Sequence, residues 1–323
     1  MEIFKSDKIY DFMGKSKLFI ALSLILVLAS WAILFTRGLH YGIDFAGGTL
    51  VQLKYEKSAP IKKIREDLKK DPIFKNASIT EFGSPNEVVI RFSTSSSSVG
   101  VDIGDRVREL LKNTGKFKVR RVDMVGPKVG NELREKGLMA MVLSIIAILI
   151  YVAFRFEWRF GLAAILALVH DVSISLGFVS LFQIDVNLDI LAAILTIMGY
   201  SLNDTIIVFD RIREGIKEAK VMDLFSVINE SVTKTLSRTT LTSLTTFFVV
   251  LTLYLFGGEI IKGFSFTLLI GIIVGTYSSI FVASPLLKWL GFSIEDFKKK
   301  EAEKEKRRRE KEKIRQMYEG GVV

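Results

Sequence analysis

Six stretches of the chain are apolar for long enough to cross a bilayer: 18–36, 138–154, 160–182, 188–209, 239–256 and 264–287. Crossing roughly 30 Å of hydrocarbon takes about 20 such residues in a helix. Only helices and closed barrels satisfy every backbone group in lipid, and these runs are too long and unbroken for barrel strands. The pattern predicts a polytopic α-helical membrane protein with six transmembrane helices.

Between the first two runs, 37–137 reads differently. "TLVQLKYE" (49–56) alternates like a strand, and "APIKKIREDLKK" (59–70) places Ile61, Ile64 and Leu68 at helical spacing. "ASITEF" (77–82) and "EVVIRFS" (87–93) flank a turn of Gly83, Ser84, Pro85 and Asn86. "VDIGDRVRELLKN" (101–113) is amphipathic again, and "FKVRRVDMV" (117–125) is a final strand. The order βαββαβ predicts one ferredoxin-like domain, with its helices on one face of an antiparallel sheet. The serine-rich stretch 93–100 reads as a loop. Pro127 ends the last strand, and the helix formers after it run into the second membrane helix.

The segment 210–237 is amphipathic, with Ile212, Ile216, Leu224, Val227 and Ile228 on one side, and is expected to lie along the membrane surface. The chain thus divides into an N-terminal segment 1–17, a first span 18–36, the domain 37–137, the five further spans within 138–290 and a basic tail 291–323.

Charge orients this arrangement. The net charge of +10 could suggest nucleic acid, but its distribution argues against it. Basic residues gather at Lys5, Lys8, Lys15 and Lys17, at Arg155 and Arg159, within 211–238 and after 298, whereas connections 183–187 and 257–263 hold only Lys262. With six alternating helices every basic cluster falls on one side. The positive-inside rule then makes both termini cytoplasmic and 37–137 extracytoplasmic. No A-x-A-like cleavage site follows the first run, which is therefore kept as a span. The charged run 298–316 is either a solvated face that fixes orientation or a contact for anionic lipid or for an acidic or nucleic-acid partner. There is no cysteine, hence no disulfide or thiolate chemistry.

Charges within spans cost at least about 2.5–3.5 kcal/mol each at the helix centre and are functional candidates by default. Asp204 lies in "GYSLNDTIIVFDRIRE" (199–214), flanked by Asn203 and Thr205. Asp171 follows His170 in the third run, and Arg238 opens the fifth. Asp204 is six residues before Asp210, roughly 9 Å along the helix. Arg238, entering from the same side, could reach a similar depth. A buried carboxyl favours its protonated form, and a nearby guanidinium favours the ionised one. Moving Arg238 toward or away from Asp204 would unload and load a proton; a static salt bridge that fixes packing is the alternative. His170–Asp171 belongs either to a proton path or to a packing pair. Gly271 and Gly275 form a GxxxG that permits close helix approach.

Several longer motifs together resemble the SecF protein-export family and its sister SecD, within the resistance–nodulation–division superfamily. They are "YGIDFAGGT" (41–49), "VGPKVGNELREKG" (125–137), "SLNDTIIVFDRIRE" (201–214) and "TLSRTTLTSLTT" (235–246), in order along nearly the whole chain. The resemblance implies an auxiliary subunit that works with SecD beside the SecYEG channel, in the cytoplasmic (inner) membrane of a prokaryote. It implies use of the proton gradient to draw exported preproteins across, with protons as the coupling ion and no cofactor or metal.

Carried over residue by residue, Asp204 and Arg238 match the pair required for proton-coupled work. In the signature loop, Tyr41 leads into Gly42, Gly47 and Gly48, which suit a turn from helix to strand, with Asp44 bonding loop amides. A small-molecule or lipid exporter of the same superfamily and a passive scaffold are the competing readings. No phosphate loop, metal-spaced histidine cluster or nucleophile elbow supports an enzyme.

Overall fold

In the computed structural model, which describes residues 8–93, 102–219 and 223–319, all six apolar runs are helical. Lys5, nearly all of the serine-rich loop and the first residue of the predicted helix 101–113 lie outside the described residues. Helix α1 spans Ser16–Arg37, and a four-residue turn of helix, α2, spans Ile43–Ala46. The small domain follows as β1 (Gly48–Tyr55), α3 (Ile61–Leu68), β2 (Ser78–Phe82), β3 (Ser84–Phe92), α4 (Ile103–Leu111) and β4 (Phe117–Val125). The remaining spans are α5 (Pro127–Arg155), α6 (Trp158–Leu181), α7 (Leu188–Glu218), α8 (Leu224–Phe256) and α9 (Glu259–Ser278). A π-helical stretch over Ser279–Ala283 joins α9 to α10 (Ser284–Trp289), and the tail forms α11 (Ile294–Glu319).

The sheet has the order β2-β3-β1-β4 with every pairing antiparallel, the predicted ferredoxin-like arrangement. Alternation decides which face is covered. Val51, Leu53, Val88 and Ile90 point to one side and are fully buried against Ile64 and Leu68 of α3 and Val107 and Leu111 of α4. Each such side chain removed from water contributes about 1.5–3 kcal/mol. Asp102 starts α4 by accepting the Asp105 amide at 3.0 Å. The hairpin turns tighter than its sequence suggests. Gly83 alone turns the chain, at φ +74°, and Ser84, Pro85 and Asn86 already belong to β3. The uncovered face of the sheet looks across a crevice of about 710 Å³ toward residues 184–189 and 259–263, at the near ends of α7 and α9.

Among the spans, burial separates core from periphery. Helices α6 and α7 are buried along much of their length, whereas α5 buries only Gly130, Gly137 and Val152. Helix α1 buries Ser16, Ser23 and Ser30, spaced by seven, and turns Leu18, Leu24, Ile25 and Leu28 outward. That is the inverse of a water-soluble helix and suits lipid, where small residues let helices approach.

Two expectations change. The segment 210–237 is not a separate helix lying flat. It is the continuation of α7 and the start of α8, which rise together as a hairpin. Ile212, Ile216, Leu224, Val227 and Ile228 do share a face, but they bury it against Phe160, Phe209, Leu287, Phe292 and Phe297 in one cluster at the tail end of the bundle. Tertiary packing outcompetes interfacial burial there. The sixth run is not one uniform α-helix either. Pro285 cannot donate to the carbonyl one turn back and clashes with it. The wider π turn before it accommodates the ring, and Ser284 Oγ donates to the Ser279 carbonyl at 2.9 Å.

Candidate functional site

Helix α7 runs 31 residues, roughly 46 Å, and carries the polar triplet Asn203, Asp204 and Thr205 on one turn. The three point differently. Asn203 is exposed at the bundle surface, Asp204 is 7% exposed, and Thr205 is 1% exposed with its hydroxyl unpartnered. The Asp204 carboxylate accepts from Ser243 Oγ of α8 at 3.2 Å, and Ser243 in turn accepts from Thr276 Oγ1 of α9 at 2.8 Å. A cavity of about 30 Å³ opens beside them, lined by Tyr200, Ser201, Thr242, Thr246 and Gly275 among others. It has room for a water and the polar partners to hold one.

Arg238 is not part of this group. Its side chain is exposed and forms no ion pair among the described residues, and the residue's carbonyl serves Thr242 at 3.1 Å. Ser243, five residues further along α8, occupies the place beside Asp204. The static salt bridge is therefore absent from this conformation. Asp204 is held by one hydroxyl, that of Ser243, without a cation. The other hydroxyls of α8 sort by direction: Thr242, Thr245 and Thr246 bond their own helix carbonyls, while Thr239 is buried without a partner.

The second carboxylate is buried more deeply. Asp171 has no exposed surface and joins three helices. His170 Nδ1 lies 2.8 Å from its Oδ1, Ser278 Oγ of α9 donates to Oδ2 at 2.7 Å, and Ser201 Oγ of α7 donates to the same oxygen. Ser201 also lines the Asp204 cavity, so one hydroxyl borders both carboxylates. The His170 ring stacks on Tyr277, its Nε2 buried and unpartnered, and Tyr277 donates to the Phe19 carbonyl of α1 at 2.8 Å.

Glycines let these helices meet. A Cβ on Gly271 would fall 2.2 Å from Ile197 Cγ1, and one on Gly275 would fall 3.3 Å from Ser201 Cβ. Helix α9 thus lies against α7 at the level of the cavity. Ser201, Thr276 and Ser278 were not singled out from sequence; their only signal is a hydroxyl within an apolar helix. Among the described residues no group of His, Asp and Glu has the arrangement of a metal site.

The signature loop forms a separate feature at the domain end. Asp44 does not bond the amides of its own loop. Its Oδ2 accepts the Leu188 amide at 3.1 Å, at the first residue of α7. Tyr41 pairs with Val186 in a parallel bridge, and Gly47 (φ +71°) and Gly48 (φ +134°) turn the chain into β1.

Comparison with known proteins decides what this architecture is. Residues 106–293 match the family model described as protein export membrane protein SecD/SecF, C-terminal, and residues 32–59 match the SecD/SecF GG motif. The chain belongs to the SecD/SecF protein-export family. A protein translocase subunit SecF from Helicobacter pylori strain J99 is 49% identical over 323 residues, covering all of both chains. The subunit of the same name from Escherichia coli O157:H7 is 40% identical over 92% of this chain and 93% of its own. The crystal structure of SecDF, a translocon-associated membrane protein from Thermus, superposes with a TM-score of 0.80 at 37% identity. That likeness covers 88% of this chain, which spans 39% of the SecDF chain. The SecD/SecF GG motif contains the loop that reaches α7, and the C-terminal family region contains both Asp171 and Asp204.

Proposed function

We propose that this chain, an auxiliary subunit of the Sec protein translocase, couples proton movement through Asp204 to the export of proteins. Full-length relatives at 40–50% identity carry that subunit's name, and the chain is a multi-pass membrane protein by its six spans. The observation that carries the proton reading is the buried Asp204 carboxyl, held by Ser243 and without a counter-ion. A permanently ionised carboxylate so placed would be costly. A carboxyl that takes up and gives up a proton is not.

In this reading the conformation described is the loaded one. Arg238 moving inward by about one and a half helical turns would replace Ser243, favour the ionised carboxylate and release the proton. Ser201 extends the path to Asp171, which makes Asp171 a second carrier. One proton crossing the membrane delivers about 2.3 kcal/mol per 100 mV, enough to shift a two-state equilibrium roughly 50-fold.

The basic clusters support cytoplasmic termini and an extracytoplasmic sheet domain in the prokaryotic inner membrane. A SecD-type chain would supply the remainder of a SecDF assembly, and SecYEG, the preprotein and lipid are the expected further partners. The exposed polar strip of Tyr200, Asn203 and Thr242 beside the cavity supports a partner helix there.

The test is Asp204→Asn, reconstituted with its SecD-type partner. Proton flux and gradient-dependent export should both disappear, while accumulation and co-purification persist. Normal gradient-driven export by this variant would end the proposal.

A further inference from the structure

We propose that the 40–48 loop and the 185–188 segment form a closed strap through which movement of α7 drives the sheet domain, with Asp44 as its positioning residue. The inference rests on Asp204 as the proton site, because α7 is the helix that bears it.

The route of the chain is the first observation. After α1 it does not run directly into β1. It detours to the start of α7, where the Val186 amide donates to the His40 carbonyl at 2.7 Å and the Gly42 amide donates to the Val186 carbonyl at 3.0 Å. Two residues on, Asp44 caps the Leu188 amide. Asn187 holds the capping position of α7 but makes no side-chain cap bond, so the cap comes from a distant part of the chain. A carboxylate there also complements the positive end of the helix. A Cβ on Gly42 would fall 1.7 Å from Asn187 Oδ1, so any side chain there must push Asn187 aside.

The second observation is how firmly the domain grips the same segment. The loop enters β1 within four residues of Asp44, at Gly48. Asp185, three residues before α7, pairs with His40 Nδ1 at 2.6 Å and also with Arg91 of β3. Strands β1 and β3 are neighbours, so two adjacent strands are tied to one end of one helix. On the other side Gly47 backs onto Pro127, the first residue of α5, where a Cβ would fall 2.9 Å from its Cα.

Rigidity is the third. Helix α7 is unbroken from Leu188 to Glu218, and Asp204 lies sixteen residues from its start, roughly 24 Å away. A tilt or shift of α7 at Asp204 therefore arrives at Leu188, and through the strap at the sheet. The strap stays closed throughout, and domain and helix travel together.

The experiment uses the full chain with its SecD-type partner in proteoliposomes. Asp44→Ala should leave proton flux within about twofold of the parent and reduce gradient-driven export at least tenfold. Asp44→Asn, whose amide oxygen can also cap, should restore most of the export. Because the chain lacks cysteine, the pair Tyr41→Cys and Val186→Cys can be oxidised without competing thiols in this chain, and the crosslink should leave export intact.

Parental export by Asp44→Ala, or export blocked by the Tyr41–Val186 crosslink, would overturn the strap. If Asp44→Ala fails to accumulate, Gly42→Ala, which must push Asn187 aside, serves the same comparison. Hydrogen exchange at the 186–190 amides reads the strap without reference to protons. A tenfold rise in Asp44→Ala supports it, and no change refutes it. Normal flux in Asp204→Asn would instead refute the proton site alone.

Discussion

Asp171 offers a way to separate a proton carrier from a packing hub. Its carboxylate accepts from Ser201 on α7 and Ser278 on α9, two interhelical bonds, and contacts His170 on its own helix. Interhelical hydrogen bonds in membranes average about 0.6 kcal/mol and reach about 1.7. Asp171→Ala removes two, a loss of about 1–3 kcal/mol, softened because Ser278 can fall back on the Gly275 carbonyl 3.1 Å away. Asp171→Asn keeps one acceptor oxygen for both hydroxyls, which share Oδ2, and turns its amide nitrogen to His170 Nδ1, which accepts from it in the tautomer protonated on Nε2. Its cost should stay below about 1 kcal/mol.

An amide cannot carry a proton at neutral pH, however. The expected result is a split: Asp171→Asn unfolds near the parental temperature but conducts protons at least tenfold more slowly, while Asp171→Ala loses both properties. Thermal unfolding in detergent, followed by tryptophan fluorescence, gives the first quantity. Acidification of proteoliposomes gives the second. Parental flux in Asp171→Asn would show that Asp171 only holds the helices together.

Other outcomes follow from the same geometry. Gly271→Leu places a side chain where Ile197 already lies and should destabilise the α7–α9 contact by about 1–3 kcal/mol, read as a lower unfolding temperature. Arg238→Gln removes no ion pair present here, so stability should change by less than about 0.5 kcal/mol while proton release slows; a large loss of stability would restore the static salt bridge. Phe209→Ala empties the aromatic cluster with Phe156 and Phe160 and should cost about 3–5 kcal/mol, seen as poor accumulation of the chain.

What could be read from sequence follows from the range of each interaction. The spans and the strands of the small domain rest on local periodicity, and their existence and order were legible. The burial of Asp204 was legible too, because a carboxylate in an apolar helix stands out against its neighbours. Its partner was not. Arg238 was the natural choice by charge and depth, yet a serine holds the place, and which face of α8 meets α7 is set by packing across the bundle. The surface placement of 210–237 failed for a related reason. An amphipathic face does not say whether lipid headgroups or a phenylalanine cluster will cover it. The reach of Asp44 to Leu188 spans 144 positions and left no local trace.

The π turn before Pro285 has a consequence for phase. In a regular helix Leu287, nine residues after Ser278, would project roughly 180° away from it. A π turn absorbs about one extra residue, so the difference falls to roughly 80°. Both side chains can then point inward, Ser278 to Asp171 and Leu287 to the cluster around Phe209. The widened turn is thus a one-residue spacer that lets a single helix serve a polar centre and a hydrophobic one at different heights. Removing one residue between 279 and 283 would make the helix regular and keep the difference at roughly 80°, so both side chains should hold their directions.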